Sequence, residues 1–159
     1  MTSPDRVARA VFALLVIACV AAFFVTQRLK HTPTAVQLFQ LTPFFLPTPS
    51  SHIKQERISF RLARSDVVTV TIVDSAGAEV ATLVRGKPVT RYKQFSLRWN
   101  GRLGAARGYT VLAGTNGRTS LEPANDGPLA PAGEYRVRVS LRKEGRSVLS
   151  PRSFTLARR

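Results

Sequence analysis

The sequence predicts an all-β domain of two packed sheets behind one membrane-spanning helix. Three observations predict it. Ala10–Val25 is an uninterrupted run without a charged residue near the amino terminus. Much of the remaining chain alternates apolar and polar residues with a period of two, the mark of strands that bury one face. Glycine and proline punctuate these runs, and no long 3.6-residue period follows the apolar run.

The helix is expected over residues 10–27, after a short cytoplasmic tail at 1–9. Arg6 and Arg9 precede it and Arg28 and Lys30 follow it. At 1.5 Å per residue the strict apolar run falls slightly short of a hydrocarbon core of roughly 30 Å. Val7 and Ala8 extend it, and Arg9 can snorkel toward the headgroups. Two other readings exist. A secretory signal could be cut among Ala18, Ala21 and Ala22, and Val16-Ile17-Ala18-Cys19 resembles a lipobox whose cysteine is acylated. The apolar run continues through Val20–Val25, which argues against both. Cys19 then reads as a small lipid-facing hydrophobe. The flanking basic residues balance, so the positive-inside rule is nearly silent on orientation.

Residues 28–53 read as a tether. Pro33, Pro43, Pro47 and Pro49 interrupt regular structure. Leu38-Phe39 and Phe44-Phe45-Leu46 are nevertheless too oily for a free linker. Contact with the lipid surface is the first expectation for them, packing on the domain the second, and a partner chain the third.

Residues 54–159 are expected to form the β domain. Ile58, Phe60 and Leu62 alternate with polar residues, as do Val68, Val70 and Ile72. Asp74-Ser75-Ala76-Gly77 supplies a turn in which Gly77 can take positive φ. Val80 and Leu83 follow, then Phe95, Leu97 and Trp99. Tyr135, Val137, Val139 and Leu141 make the clearest strand, and Phe154 and Leu156 close the chain. The expected core is Phe60, Val70, Ile72, Leu83, Leu97, Trp99, Tyr135 and Val137. The chain's one cysteine lies in the helix, so no disulfide can staple this domain. An insertion at about 100–131 breaks the rhythm. Tyr109–Leu112 could add a strand there, and Leu121–Leu129 is expected to be its least ordered part.

Several of these pieces together resemble the immunoglobulin-like module of the flagellar hook-capping protein family. They are Ile58-Ser59-Phe60-Arg61-Leu62, the strand and turn from Val68 to Gly77, and Glu79-Val80-Ala81-Thr82-Leu83. The most specific are Trp99-Asn100-Gly101-Arg102, like the family's W-[DN]-G turn, and Pro131-Ala132-Gly133-Glu134-Tyr135, like its P-A-G-x-Y. The resemblance covers about Arg57–Leu156. It implies an immunoglobulin-like β-sandwich, in a family widespread among exported bacterial proteins, with Trp99, Gly101, Gly133 and Tyr135 as scaffold. In this reading Trp99 fills the core, Gly133 permits a bend, and Tyr135 starts the next inward row. The connection from Trp99-Asn100-Gly101 to Pro131-Ala132-Gly133 is longer than the family's, so partners do not carry over, and the anchor speaks against a flagellar role.

Residues for catalysis are scarce. Both histidines, His31 and His52, sit in the tether, and the carboxylates are scattered. Gly114-Thr115-Asn116-Gly117 lacks the lysine and helix of a phosphate loop. No enzyme, metal or cofactor is therefore expected. Charge is the remaining signal. The chain carries a net +15, and 20 basic against 8 acidic residues lie from Lys54 onward. Arg136, Arg138 and Arg142 should line one outer face, with Arg57, Arg61 and Arg98 on the outer faces of other strands. Such a field attracts anions. The expected function is a membrane-anchored binding or scaffolding module of the cell envelope, its domain outside the cytoplasm. Membrane lipid contacts the anchor, and Arg136, Arg138 and Arg142 meet anionic surface material. An architectural subunit docking on a membrane protein is the alternative, as is a secreted or lipidated accessory domain. Nucleic acid is disfavoured, for want of a base-reading helix or an exposed aromatic row.

Overall fold

The computed structural model describes residues 4–30, 34–114 and 118–158. The chain divides into two compact units, Met1–Thr34 and Ala35–Arg159. His31, Pro33 and Thr115-Asn116-Gly117, named above, lie outside the described residues.

The first unit holds one helix, α1 (Pro4–Lys30). Its stretch Ala8–Thr26 has a mean hydropathy of 2.6 and is long and apolar enough to cross a membrane. Val11, Phe12, Leu14, Leu15, Val16 and Ile17 are all exposed. Being consecutive or nearly so, they point in every direction, so this stretch has no polar face to turn to water. Near its end the Thr26 hydroxyl donates to the Ala22 carbonyl at 2.6 Å, which satisfies it inside the helix.

The second unit is β-rich. In chain order its strands are β1 (Val36–Leu41), β2 (Phe44–Phe45), β3 (Glu56–Leu62), β4 (Asp66–Asp74), β5 (Glu79–Val89) and β6 (Gln94–Trp99). Then come β7 (Gly104–Ala105), β8 (Tyr109–Ala113), β9 (Thr119–Pro123), β10 (Gly133–Leu141), β11 (Arg146–Leu149) and β12 (Phe154–Leu156). They make two sheets. One runs β1-β3-β6-β9-β8; the other runs β2-β12-β10-β4-β5-β7, with β11 also on β10. Pairing is antiparallel except for β2 with β12, β5 with β7 and β6 with β9.

Both sheets contribute to one apolar cluster. All eight residues of the expected core are buried, Trp99 and Val70 completely. Trp99 comes from the five-stranded sheet. Its ring meets Phe45, Tyr135 and Phe154 of the other sheet with centroids 5.7, 5.8 and 6.0 Å away. These tilted and edge-on contacts suit the ring quadrupoles. The Trp99 indole donates to the Arg102 carbonyl at 2.9 Å and the Tyr135 hydroxyl to the Pro131 carbonyl at 2.7 Å. Each buried aromatic therefore ties down the turn beside it. Burial, with Asp74 nearby, raises the Tyr135 pKa against the opposing pull of Arg158, so the phenol stays protonated.

Gly77 takes the expected positive φ, at 83°. Gly101 needs glycine twice over. Its φ is 80°, and an added Cβ would lie 3.1 Å from Leu156 and 3.2 Å from Leu129. At Gly133 the chain bends just before, at Ala132, without calling on glycine's special freedom. Gly133 itself opens β10 opposite Leu156, shows no left-handed φ, and has room for a Cβ.

The tether differs most from the sequence reading. The sheet unit begins at Ala35, not near Lys54. Val36 and Ala35 are buried, and Phe45 is completely so. β1 pairs with β3 on the edge of one sheet, and β2 joins β12 on the edge of the other. Pro43 stands between them. It removes a backbone donor where the chain leaves one sheet for the next, so the prolines mark a change of sheet rather than a linker. β1 also carries a bulge between Gln37 and Gln40, where Leu38 has φ of 49° and points outward. Packing on the domain, the second expectation, is the arrangement found for Phe45 and in part for Phe39, whereas Leu38 and Phe44 stay exposed.

The insertion is built, not loose. β8 and β9 form an antiparallel hairpin, and Leu121 and Ala130 are buried. The buried Asn125 amide donates to the carbonyls of Thr82 and Gly104, at 3.2 and 2.6 Å. Leu103 and Ala130 bond to Pro128 and Gly101 across the Trp99–Arg102 turn. The expected least-ordered stretch, Leu121–Leu129, thus clamps the turn that Trp99 anchors.

Candidate functional site: an arginine-lined groove

The period-two alternation of β3 sends Ile58 and Phe60 inward and Arg57 and Ser59 outward. β6 does the same with Leu97 and Trp99 against Arg98 and Ser96. Antiparallel register then sets Arg57 opposite Arg98 and Ser59 opposite Ser96. Paired Cα atoms lie about 5 Å apart in such a ladder, so the two guanidinium groups share one short stretch of surface.

This stretch becomes concave because its flanks differ from the floor. On one side is the end of β1 with Gln40 and Thr42. On the other is the turn end of the β8–β9 hairpin, where Gly114 donates to the Arg118 carbonyl at 2.7 Å. β9 meets β6 in parallel at a single position, Leu97 opposite Leu121. The result is an open groove of about 400 Å³, lined by Arg57, Arg98, Arg118, Ser59, Ser96 and Ser120 among others.

Its electrostatics are one-sided. Among the described residues the salt bridges are Arg107–Asp126 and Arg146–Glu144, both outside the groove. Arg57, Arg98 and Arg118 therefore have no carboxylate partner among the described residues. Arg98 is half-buried; Arg57 and Arg118 are exposed. The hydroxyls are adaptable: Ser59 donates to Gln40 at 3.2 Å, and Thr42 Oγ1 accepts from the Arg57 N–H at 3.3 Å. The described lining contains no carboxylate and no aromatic ring. The site can thus bind an anion through arginine and hydroxyl groups through serine, but it has no ring for stacking.

A buried carboxyl lies beneath one flank. Glu56 faces the interior, fully buried, opposite Trp99. Its Oε1 accepts from the Thr42 N–H at 2.8 Å, and Oε2 has no partner. Burial raises its pKa to about 8, against the smaller opposing pull of the Thr42 hydrogen bond.

Of the arginines expected to line one outer face, Arg136 and Arg138 do lie on the outer side of the seven-stranded sheet, in a depression shared with Asp74 and Glu134. Arg138 is engaged, donating to the Gly77 carbonyl at 3.0 Å. Arg142 follows β10 and lines a second depression with Arg146. The turn there is held by Asp66, whose carboxylate accepts from the N–H groups of Val67, Lys143 and Glu144 at 2.6, 2.8 and 3.2 Å. Burial pushes the Asp66 pKa up, but those three donors and the Lys143 charge outweigh it, and the carboxyl sits below its ordinary value. Arg118 is the contributor that strand periodicity could not find. Its neighbours in sequence show only a glycine-rich turn, and its place depends on how the hairpin docks.

Among the described residues no group of three or more His, Cys, Asp or Glu side chains could hold a metal ion. Trp99, buried in the core, is unavailable to stack on a ligand. Neither a protein-family model nor a curated protein matches the chain.

Proposed function

We propose that this chain is a single-pass membrane protein whose sheet unit is an immunoglobulin-like β-sandwich serving as a non-enzymatic binding module on the outer side of the membrane. The helix Ala8–Thr26 supports the anchor. The shared core of the two sheets and the Tyr135–Pro131 hydrogen bond support the sandwich, since a tyrosine hydroxyl closing back on the chain upstream is a recurrent device of such domains. The resemblance to the hook-capping module adds the export setting. The groove carries the binding assignment: three arginines without carboxylate partners among the described residues line one concave surface. Its ligand is anionic material of the envelope, and Arg57, Arg98 and Arg118 replace the β10 arginines as the principal contacts.

The rival reading is an architectural subunit that docks on a membrane protein through exposed apolar residues such as Leu38, Phe44 and Val111. Salt separates the two. Contacts between exposed charges are screened over about 8–10 Å at physiological ionic strength, whereas apolar docking is hardly affected. The full chain in neutral detergent should bind an anionic polymer such as dextran sulfate at low salt and lose it steeply as salt rises. Failure to bind at low salt would refute the anion reading. A reporter fused after Arg159 that is active only in the cytoplasm would refute the orientation.

A further inference from the structure

We infer that the groove binds an extended polyol-phosphate polymer, a chain of phosphodiesters joined by hydroxylated spacers such as poly(glycerol phosphate). This rests on the anion-binding reading above and names the chemistry that would satisfy it. Arg57 and Arg98 face each other across one ladder position, the spacing of two donors on a single phosphate. Arg118 enters from the hairpin turn just ahead of β9, the strand next to β6. The arginines thus mark two positions for negative charge, not one. A polymer supplies successive phosphates; a single lipid headgroup supplies one.

The residues between and beside these positions are hydroxyls. Ser59 and Ser96 form the next registered pair on the same face, and Ser120 lines the hairpin side. Serine hydroxyls both donate and accept, as polyol hydroxyls do. The described lining offers no aromatic platform of the kind that holds a nucleobase. It offers no carboxylate to repel the phosphates or to hold them through a cation.

The test uses the full chain in neutral detergent micelles. Binding is measured by calorimetry against poly(glycerol phosphate) oligomers, inorganic polyphosphate, and vesicles containing phosphatidylglycerol. The oligomers should bind more tightly than polyphosphate of equal charge. Arg57→Gln with Arg98→Gln should weaken oligomer binding by roughly tenfold or more, the worth of one lost charge-assisted contact. Ser59→Ala with Ser96→Ala should weaken oligomer binding while leaving polyphosphate binding unchanged. The unaltered melting transition of each variant, read from Trp99 fluorescence, shows that folding is intact. Equal binding of oligomer and polyphosphate, with no effect of the serine changes, would overturn the polyol assignment and leave a plain anion groove. Binding to the vesicles without binding to the oligomers would overturn the polymer in favour of a lipid headgroup. No binding to any of the three, or binding indifferent to the arginine changes, would overturn the groove itself.

Discussion

Replacing Glu56 by glutamine should stabilise the sheet unit at neutral pH. Glu56 is completely buried, with one oxygen on the Thr42 N–H and the other unpartnered. Its pKa rises from 4.5 to about 8 on folding. A carboxyl whose folded pKa is raised gives no penalty at low pH, where both states hold the proton. As pH climbs past 4.5 the unfolded chain ionises while the folded one does not, so stability falls until about pH 8 and then levels. At pH 7 the interval from 4.5 spans about 2.5 pH units at 1.36 kcal/mol each, a penalty on the order of 3 kcal/mol. That is a large share of the 5–15 kcal/mol typical of a domain. Glutamine keeps the shape and an oxygen for Thr42. Its spare N–H lacks an acceptor just as the protonated carboxyl's O–H does, so the two should match near pH 4. Melting of the full chain in detergent, followed by the fluorescence of its one tryptophan, measures the difference. The variant should melt at the same temperature as wild type near pH 4 and roughly 10 °C higher at pH 7. Parallel profiles from pH 4 to 8 would show that Glu56 is solvated in solution and would refute a buried, protonated carboxyl.

Asp66 has the opposite sign. Its folded pKa is depressed, so its contribution is full above the unfolded value and is lost as pH falls through the folded one. Asp66→Ala should cost about 2 kcal/mol at pH 7 in urea titrations, and the deficit should shrink in acid. Gly101→Ala should cost roughly 2–4 kcal/mol, combining a left-handed φ with contacts near 3.1 Å to Leu156, and should lower the urea midpoint without changing the slope. A fragment starting at Thr34 should melt cooperatively, whereas one starting at Lys54 should not. The latter lacks β1 and β2, and losing the buried Phe45 alone removes about 3–5 kcal/mol. Circular dichroism of the two fragments checks this.

Where one strand face is buried, the sequence states it directly. Ile58, Val70, Leu97 and Val137 stand in clean alternation, and each is buried. Trp99 and Tyr135 are legible too, because a large aromatic at the end of such a run has few places to go but the core. β1 was hidden by the prolines around it, since local chemistry gives a proline-bounded segment the look of a linker. Its strand exists because β3 offers an edge and the core has room for Val36. The stretch Leu121–Leu129 was hidden for a related reason. Its order comes from the Asn125 amide reaching Thr82 and Gly104, contacts distant in sequence. At the site, Arg57 and Arg98 could be assigned outward, but not to each other, because register across strands is not written in either strand. The β10 arginines looked stronger for being three in one run. Alternation cannot see that Glu134 shares their depression or that the Gly77 carbonyl occupies Arg138.

The edges of the two sheets are guarded unequally, and that bears on solubility. β1 is kinked by the bulge at Leu38, and β2 and β7 are two residues long. Each is a poor template for a foreign strand. β8 is different. It pairs with β9 through five unbroken positions, Tyr109 to Ala113, and its other side is the open edge of the five-stranded sheet. Exposed Val111 and Thr110 lie along it. At high concentration, strand-to-strand aggregation should therefore start at β8, and a charged residue at position 111 would be the most economical way to suppress it. Arg118, at the hairpin turn beyond its last residue, already acts in that direction, holding a second basic copy away by simple repulsion.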